Sequence, residues 1–384
     1  MRHRVVVLGA GYAGLPAAKR LARQVRPDEV DVVLISARPS FVERPRLHQL
    51  ATGQRLRDID LARFTKGSGV RLKIGQVTEI DLVARRLVVD AKDHEYTVDY
   101  DILVYALGST SEVDAVSGVR ENAFDFSGTE ASARLHRHMS TVDGPLVVCG
   151  GGLTGIESAA EFAESYPGLR VELVTAGAVG GWLTPRARAY IDRSFHSLGV
   201  RVHERALVEK VLPDRLALTD GSEIPFATCL WAGGFTVPKL ARESGLTVDG
   251  RGRIVTDELL RSVSHPDVYA IGDAAAVPGV WGSALAMGCR SGGFTGPQVA
   301  DIIAARLAGK NPPPFRFRYI HECISLGRKR AVVQFLKRDE TPKKSILTGW
   351  LAMRYKEIVL SSAVLLFRWS GPYRPHRRIS LATR

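Results

Sequence analysis

The sequence predicts an α/β chain built from two units of one kind, each a parallel sheet opened by a strand, a glycine turn and a helix. Three observations carry this. Val5-Val6-Val7-Leu8 runs into Gly9-Ala10-Gly11-Tyr12-Ala13-Gly14. About 140 residues later, Leu146-Val147-Val148 runs into Gly150-Gly151-Gly152-Leu153-Thr154-Gly155. Each unit then closes on an apolar strand that ends in small residues, Tyr105-Ala106-Leu107-Gly108 in the first and Cys229-Leu230-Trp231-Ala232-Gly233-Gly234 in the second. A single glycine triplet says little, because glycine turns are common. Two in strand-then-helix context imply two Rossmann-like units and two dinucleotides in one chain.

The elements follow in order. Val5 to Leu8 is read as a strand, then a helix from about Gly11 to Gln24, a turn at Pro27-Asp28, and a strand from Asp31 to Ile35. Val70 to Ile74 and Arg86 to Val89 read as short strands, and Ile102 to Tyr105 as a buried one. In the second unit, Leu146 to Val148 leads to a helix from Gly155 to about Ser165, broken by Tyr166-Pro167-Gly168, and Arg170 to Val174 is the next strand. Asp220-Gly221 is a hairpin turn in a small antiparallel unit. Val268 to Ile271 is a further strand, with Gly272-Asp273 at the carboxyl end, where open parallel sheets bind ligands. With Ala274-Ala275-Ala276 behind it, Asp273 also reads as a helix N-cap. Asn311-Pro312-Pro313-Pro314 is a linker.

Composition narrows the classes. At 384 residues and 45% hydrophobic content, two or three domains with real cores are expected. Met1-Arg2-His3-Arg4 runs straight into the first strand, and no uncharged apolar run reaches about 18 residues, so the expectation is a cytoplasmic protein with no spanning helix. Cys149, Cys229, Cys289 and Cys323 form no CxxC pair, which argues against a zinc site, a disulfide framework and a dithiol relay; no metal is expected. Cys149 and Cys229 read as core residues. The net charge of +13 is uneven: from Asn311 onward 16 Lys and Arg face 4 Asp and Glu, while the preceding 310 residues hold 37 and 36. Such a tail implies a partner surface. Nucleic acid is not expected, because no binding module accompanies the charge.

The motif residues carry the chemistry. Gly9 permits a tight turn, Gly11 lets backbone approach a pyrophosphate, and Gly14 lets helix pack on strand, with the helix N-terminus adding positive potential. Gly150, Gly152 and Gly155 repeat the set. The bland alternative is a tight turn with no ligand. An acid that would take the ribose hydroxyls is missing from both units: Ser36 and Arg38 stand in the first, Thr175 in the second. Without that carboxylate NADPH is as admissible as NADH, with Arg186 and Arg188 as unanchored partners for a 2′-phosphate. Glu157 falls near the cofactor junction, or serves the helix dipole in its first turn. His48, His321 and Cys289 are candidates for substrate chemistry, against an ordinary structural role for each. Arg290 lies with Cys289 in Met287-Gly288-Cys289-Arg290-Ser291-Gly292-Gly293, a segment that admits a ring system close to backbone.

These residues resemble a family. Leu47-His48-Gln49-Leu50-Ala51-Thr52-Gly53, Gly150 to Glu157, and Tyr269-Ala270-Ile271-Gly272-Asp273 are similar to type II NADH:quinone oxidoreductases and the apoptosis-inducing-factor-like quinone reductases, over about residues 4–310. The tail matches more weakly, at Leu326-Gly327-Arg328 with Ala331-Val332. The resemblance implies FAD in the first fold, with Gly9, Gly11 and Gly14 at its pyrophosphate, Asp273 on its ribityl or phosphate portion, Gly108 and Gly272 nearby, and Pro45 beside the ring. It implies NADH or NADPH on Gly150, Gly152 and Gly155, with Glu157 near the nicotinamide. It further implies a discontinuous plan: 1–110 and 235–310 for FAD, 111–234 for NAD(P), and 311–384 as a small basic C-terminal region.

Two departures touch the acceptor side. Ala286-Met287-Gly288-Cys289-Arg290-Ser291 stands where quinone-reducing relatives carry a glutamine-rich segment, and His48 stands where they carry tyrosine. Residues 346–369 read as an amphipathic helix interrupted by Arg354, Lys356, Glu357 and Arg368, with Lys356 off the face of the other three. Such a helix would lie on the inner membrane face, cap the body, or form a homodimer interface. The expected function is NAD(P)H oxidation with electrons passed to a quinone-like acceptor. Alternatives are an FAD-dependent tailoring dehydrogenase or oxidase acting on an aromatic metabolite, and a flavin-bearing redox sensor.

Overall fold

The computed structural model describes residues 2–368 and 378–382. The chain starts with β1 (His3–Leu8), α1 (Gly14–Gln24) and β2 (Val30–Ser36), then a short helix α2 (Leu47–Ala51), β3 (Val70–Ile74) and β4 (Ile102–Tyr105). The second unit holds β5 (Leu146–Cys149), α3 (Leu153–Ser165), β6 (Val171–Val174), β7 (Arg201–His203) and β8 (Thr228–Trp231). Then come β9 (Val268–Ala270) and α4 (Cys289–Leu307), and in the tail β10 (His321–Ser325), β11 (Ala331–Leu336), β12 (Pro342–Thr348) and α5 (Gly349–Arg368).

Two parallel sheets result, in the orders β9-β4-β1-β2-β3 and β7-β6-β5-β8. β2, β4, β5, β6 and β8 are buried along their whole length, which is why they read as largely apolar runs, broken in β2 and β6 by Asp31 and Glu172, rather than alternating ones. β9 pairs with β4, so the chain leaves the first sheet, builds the second and comes back. An ion pair fastens that return. Fully buried Arg20 of α1 reaches Asp301 of α4 through Nε at 2.6 Å and Nη2 at 2.9 Å. The bidentate geometry lets this pair span two segments about 280 residues apart.

Several boundaries differ from the sequence reading. α1 begins at Gly14, because Gly11–Ala13 form a turn. α3 begins at Leu153, so Glu157 lies in its second turn and serves no helix end. Asp273 caps no helix: Gly272–Ala274 is a single 3-10 turn, and Ala275–Ala276 pairs with Ile254–Val255 as strand. Asp220 and Gly221 do join two antiparallel strands, Arg215–Leu218 and Glu223–Pro225.

The tail is the largest correction. Ile346 to Thr348 belong to β12, not to a helix, because they pair with Gln334, Val333 and Val332 of β11. Trp369 lies outside the described residues. β10, β11 and β12 form an antiparallel sheet against α3, while α5 packs on that sheet and touches α1. Ile324 and Val332 enter the core of the second unit, and Val364 and Phe367 of α5 enter that of the first. Truncation after Pro342 would therefore open the body rather than remove an appendage. Among the described residues no helix is long and apolar enough to cross a membrane.

Candidate active site

The two glycine turns share one geometry. Gly9 adopts φ +97° and Gly150 φ +126°, a region that side chains avoid. A Cβ on Gly9 would collide with Ala106 O, and one on Gly150 with Ala232 O, so each first glycine seats against the turn that closes its sheet. A Cβ on Gly14 would strike Gly9 O, and one on Gly155 would strike Gly150 O. Those third glycines lie beneath the turns and let the helices press down. Gly11 and Gly152 differ: among the described residues nothing lies within 4 Å of a Cβ on either. Both stand in the wall of one continuous cleft of about 1430 Å³, which joins the two units. Backbone cradles of this kind suit the pyrophosphates of two dinucleotides.

The remaining candidates sort by position. Ser36, Arg38, Pro45, His48, Gly108, Gly272 and Asp273 all line the cleft. Ser36 Oγ donates to Arg38 O at 2.8 Å, and the Arg38 guanidinium lies against Gly128. Thr175 lines the second half, but Arg186 and Arg188 do not. Arg188 instead donates to Val179 O at 3.3 Å and faces Glu204 at 3.8 Å. Asp273 is held at both oxygens, accepting from Ser109 Oγ and from Gly288 N, each at 2.6 Å. It thereby ties the end of β4 to the start of α4.

Glu157 carries the most connected polar contact. Its Oε1 accepts from Ser325 N at 2.9 Å, from Ser325 Oγ at 3.0 Å and from the Lys356 ammonium. Lys356 Nζ also donates to Ser325 Oγ at 2.9 Å. Lys356 is only 3% exposed. Burial alone would raise the Glu157 carboxyl, but Lys356, His48 and the hydrogen bonds outweigh it and hold the group below its usual range. The site thus contains a buried, ionised pair in the cleft wall.

The family model for pyridine nucleotide-disulphide oxidoreductases matches residues 3–288. The chain belongs to this family. Within it, the chain is 28% identical to a type II NADH:quinone oxidoreductase of Staphylococcus haemolyticus, covering 90% of this chain and 92% of that protein. It is 30% identical to a type II NADH:quinone oxidoreductase of Mycobacterium tuberculosis, covering 87% and 80%. Its fold matches NDH2 of Plasmodium falciparum, solved in complex with NADH, with a TM-score of 0.83, 16% identity and 96% of each chain covered. The protein is an FAD-dependent NADH oxidoreductase, similar to the type II NADH:quinone oxidoreductases.

In this pyridine nucleotide-disulphide oxidoreductase Cys289 opens to the cleft lumen, and Cys323 lines it too. Burial pushes the first thiol up to about 11 and the second to about 12. Neither is ionised near neutral pH, so neither is a strong nucleophile. Cys149 and Cys229 are buried on neighbouring strands, their sulfurs 3.9 Å apart. His321 Nδ1 lies 3.0 Å from the Tyr355 hydroxyl. Arg290 is bonded to Glu340, faces Glu322 at 3.4 Å and stacks over Tyr319.

Two residues escaped the sequence reading, Lys356 and Ser325. A signal for Lys356 existed. A lysine set off from the charged face of an apolar helix is a residue that needs a buried partner. Glu357 is not free for docking either, since it pairs with Arg46 at 2.7 Å and Arg328 at 2.9 Å.

Proposed function

We propose that this enzyme passes electrons from NADH, through FAD, to a quinone that reaches the cleft beneath α5. The observation that carries the proposal is the continuity of the cleft. Both glycine cradles, Pro45, Asp273 and the Glu157–Lys356 pair stand in one wall system with α5 as its far side. In this reading Gly9, Gly11 and Gly14 form the FAD pyrophosphate cradle, Ser36 and Arg38 face its adenosine end, and Asp273 meets its ribityl or phosphate portion. Gly150, Gly152 and Gly155 cradle NADH. Thr175 presents no carboxylate to repel a 2′-phosphate, so NADPH is accepted as well. FAD supplies the hydride acceptance and the return of an electron pair; the protein positions, orients and excludes water. Glu157, held ionised by Lys356, sets the charge at the junction.

α5 supports the quinone side. Its inner face gives Lys356, Val359 and Leu360 to the cleft, while its outer face exposes Trp350 (66%), Leu351, Ile358 (67%), Leu365 and Leu366. An apolar acceptor dissolved in lipid would meet that outer face first. Exposed apolar residues with Lys343 and Lys344 on the adjoining strand suit an anionic membrane surface.

Two outcomes test this. Anaerobic protein bleached by NADH should regain its yellow colour within seconds of adding a short-chain quinone. Reoxidation by an aromatic metabolite but by no quinone would favour the tailoring enzyme instead. The double variant Ile358→Glu with Leu365→Glu should stop sedimentation with anionic vesicles. Unchanged sedimentation would reject membrane docking, and a dimer that falls to monomer in the variant would assign the face to a second copy.

A further inference from the structure

Beneath the cleft, between α2 and α3, two buried side chains face each other with atoms left unpaired. Glu161 of α3 is fully buried; its Oε1 accepts from the Gln54 amide, and its Oε2 has no partner among the described residues. His48 Nε2 has none either, and lies 3.9 Å from Glu161 Oε2. Buried polar atoms without partners are costly, so an arrangement that leaves two facing each other asks for a use. The ends of this arrangement open on different media. His48 lines the cleft, while Gln54, which also donates to Thr52 Oγ1 at 3.2 Å, is half-exposed.

We infer that Glu161 and His48 form a relay that brings a proton from solvent at Gln54 to the acceptor in the cleft. The inference rests on the quinone reading above. Its stoichiometry closes. NADH gives up a hydride, which is one proton and two electrons. A quinone needs two electrons and two protons to become a quinol, so each turnover draws one proton from solvent. In the relay, protonated Glu161 gives its proton to His48 Nε2, the imidazole releases its Nδ1 proton on the cleft side, Glu161 regains a proton from solvent, and return of His48 to the Nδ1–H tautomer resets the cycle.

The surroundings decide which of the two groups holds the proton at rest. Burial pushes the Glu161 carboxyl up, with Glu164 and Glu157 helping and the Gln54 hydrogen bond and Arg328 opposing. Burial pushes His48 down to about 4; Glu157 opposes this, and Lys356, Arg328 and Arg46 add to it. Of the two groups the carboxyl thus holds a proton more readily than the imidazole, and the relay runs by brief passage through His48 toward an acceptor that takes the proton up. Both residues act through their placement, as a route rather than as groups on the reacting atoms.

The test compares two acceptors on the holoenzyme. Ferricyanide takes electrons without protons; a short-chain quinone takes both. In Glu161→Gln and in His48→Gln the quinone rate should fall about tenfold relative to the ferricyanide rate of the same sample, with an altered pH profile and partial rescue in Glu161→Asp. An unchanged ratio and profile in both variants would overturn the relay. Infrared spectra give a second readout. The wild-type protein near neutral pH should show the carbonyl band of a protonated carboxylic acid that Glu161→Gln lacks. No such band, or one that persists in the variant and so belongs to another buried acid such as Glu322, also overturns it. Wild-type protein that reduces ferricyanide but no quinone would defeat the quinone reading alone, and the infrared band would still decide whether Glu161 holds the proton.

Discussion

Replacing Lys356 with methionine is expected to destabilise the protein by about 3 kcal/mol near neutral pH and to slow its turnover. Breaking a buried ion pair from one side leaves the other charge without compensation, which costs roughly 3–5 kcal/mol. The two backbone and hydroxyl bonds from Ser325 remain on Glu157, so the lower end of that range applies. The pH dependence has a definite sign. In the wild type the Glu157 carboxyl is depressed, so the pair's contribution is full above the unfolded carboxyl range and is lost as pH falls through the folded value. In the variant, burial acts on Glu157 without Lys356 and moves the carboxyl upward, so it neutralises more readily. The gap between the two proteins should shrink in acid. Urea unfolding at about pH 8 and about pH 5 measures it. Adding E157Q to the variant should recover part of the loss, since the unpaired charge is then gone. A deficit below about 1 kcal/mol at the higher pH would show that the pair does not hold α5 to the body.

Local patterns announced the glycine geometry in full. Each triplet assigns three roles, and the structure places the first and third glycines against carbonyls and the middle one on open space. Those roles depend on residues within a few positions and on the strand-then-helix order, which a sequence displays. The Glu157–Lys356 pair does not, because its partners lie 199 residues apart and meet only through the tail sheet. The same holds for Glu161 and His48, which α2 and α3 bring together. Tertiary pairing also overrode local preference. Ala274-Ala275-Ala276 favours helix in isolation, yet Ala275 and Ala276 are drawn into a strand by Ile254 and Val255. Ile346 to Thr348 continue an apolar helical pattern, yet β11 offers them an edge to pair with. Of the roles open to the tail helix, the packed sheet and helix show it against the body, with a strand where residues 346–348 were read as helix.

Substituting the two middle glycines should separate the dinucleotides. A valine side chain at Gly11 or Gly152 meets no protein atom at its Cβ, so both variants are expected to fold. By contrast Gly14→Val and Gly155→Val would drive a Cβ into a backbone carbonyl and disrupt the turn itself. On the proposed assignment, the added atoms at Gly11 occupy the space where backbone would approach the FAD pyrophosphate, and those at Gly152 do the same to NADH. A loss of about 3 kcal/mol of binding corresponds to roughly a hundredfold in affinity. Gly11→Val should therefore purify nearly colourless. Gly152→Val should stay yellow yet need about a hundredfold more NADH to bleach.

The flavin content of these two variants, read from their visible absorbance and followed by anaerobic NADH titration, tests most directly whether one cleft holds two dinucleotides in this order. Gly11→Val is expected to be colourless, and Gly152→Val yellow with about a hundredfold more NADH needed to bleach it. A yellow Gly11→Val that NADH bleaches normally, or a colourless Gly152→Val, would contradict it.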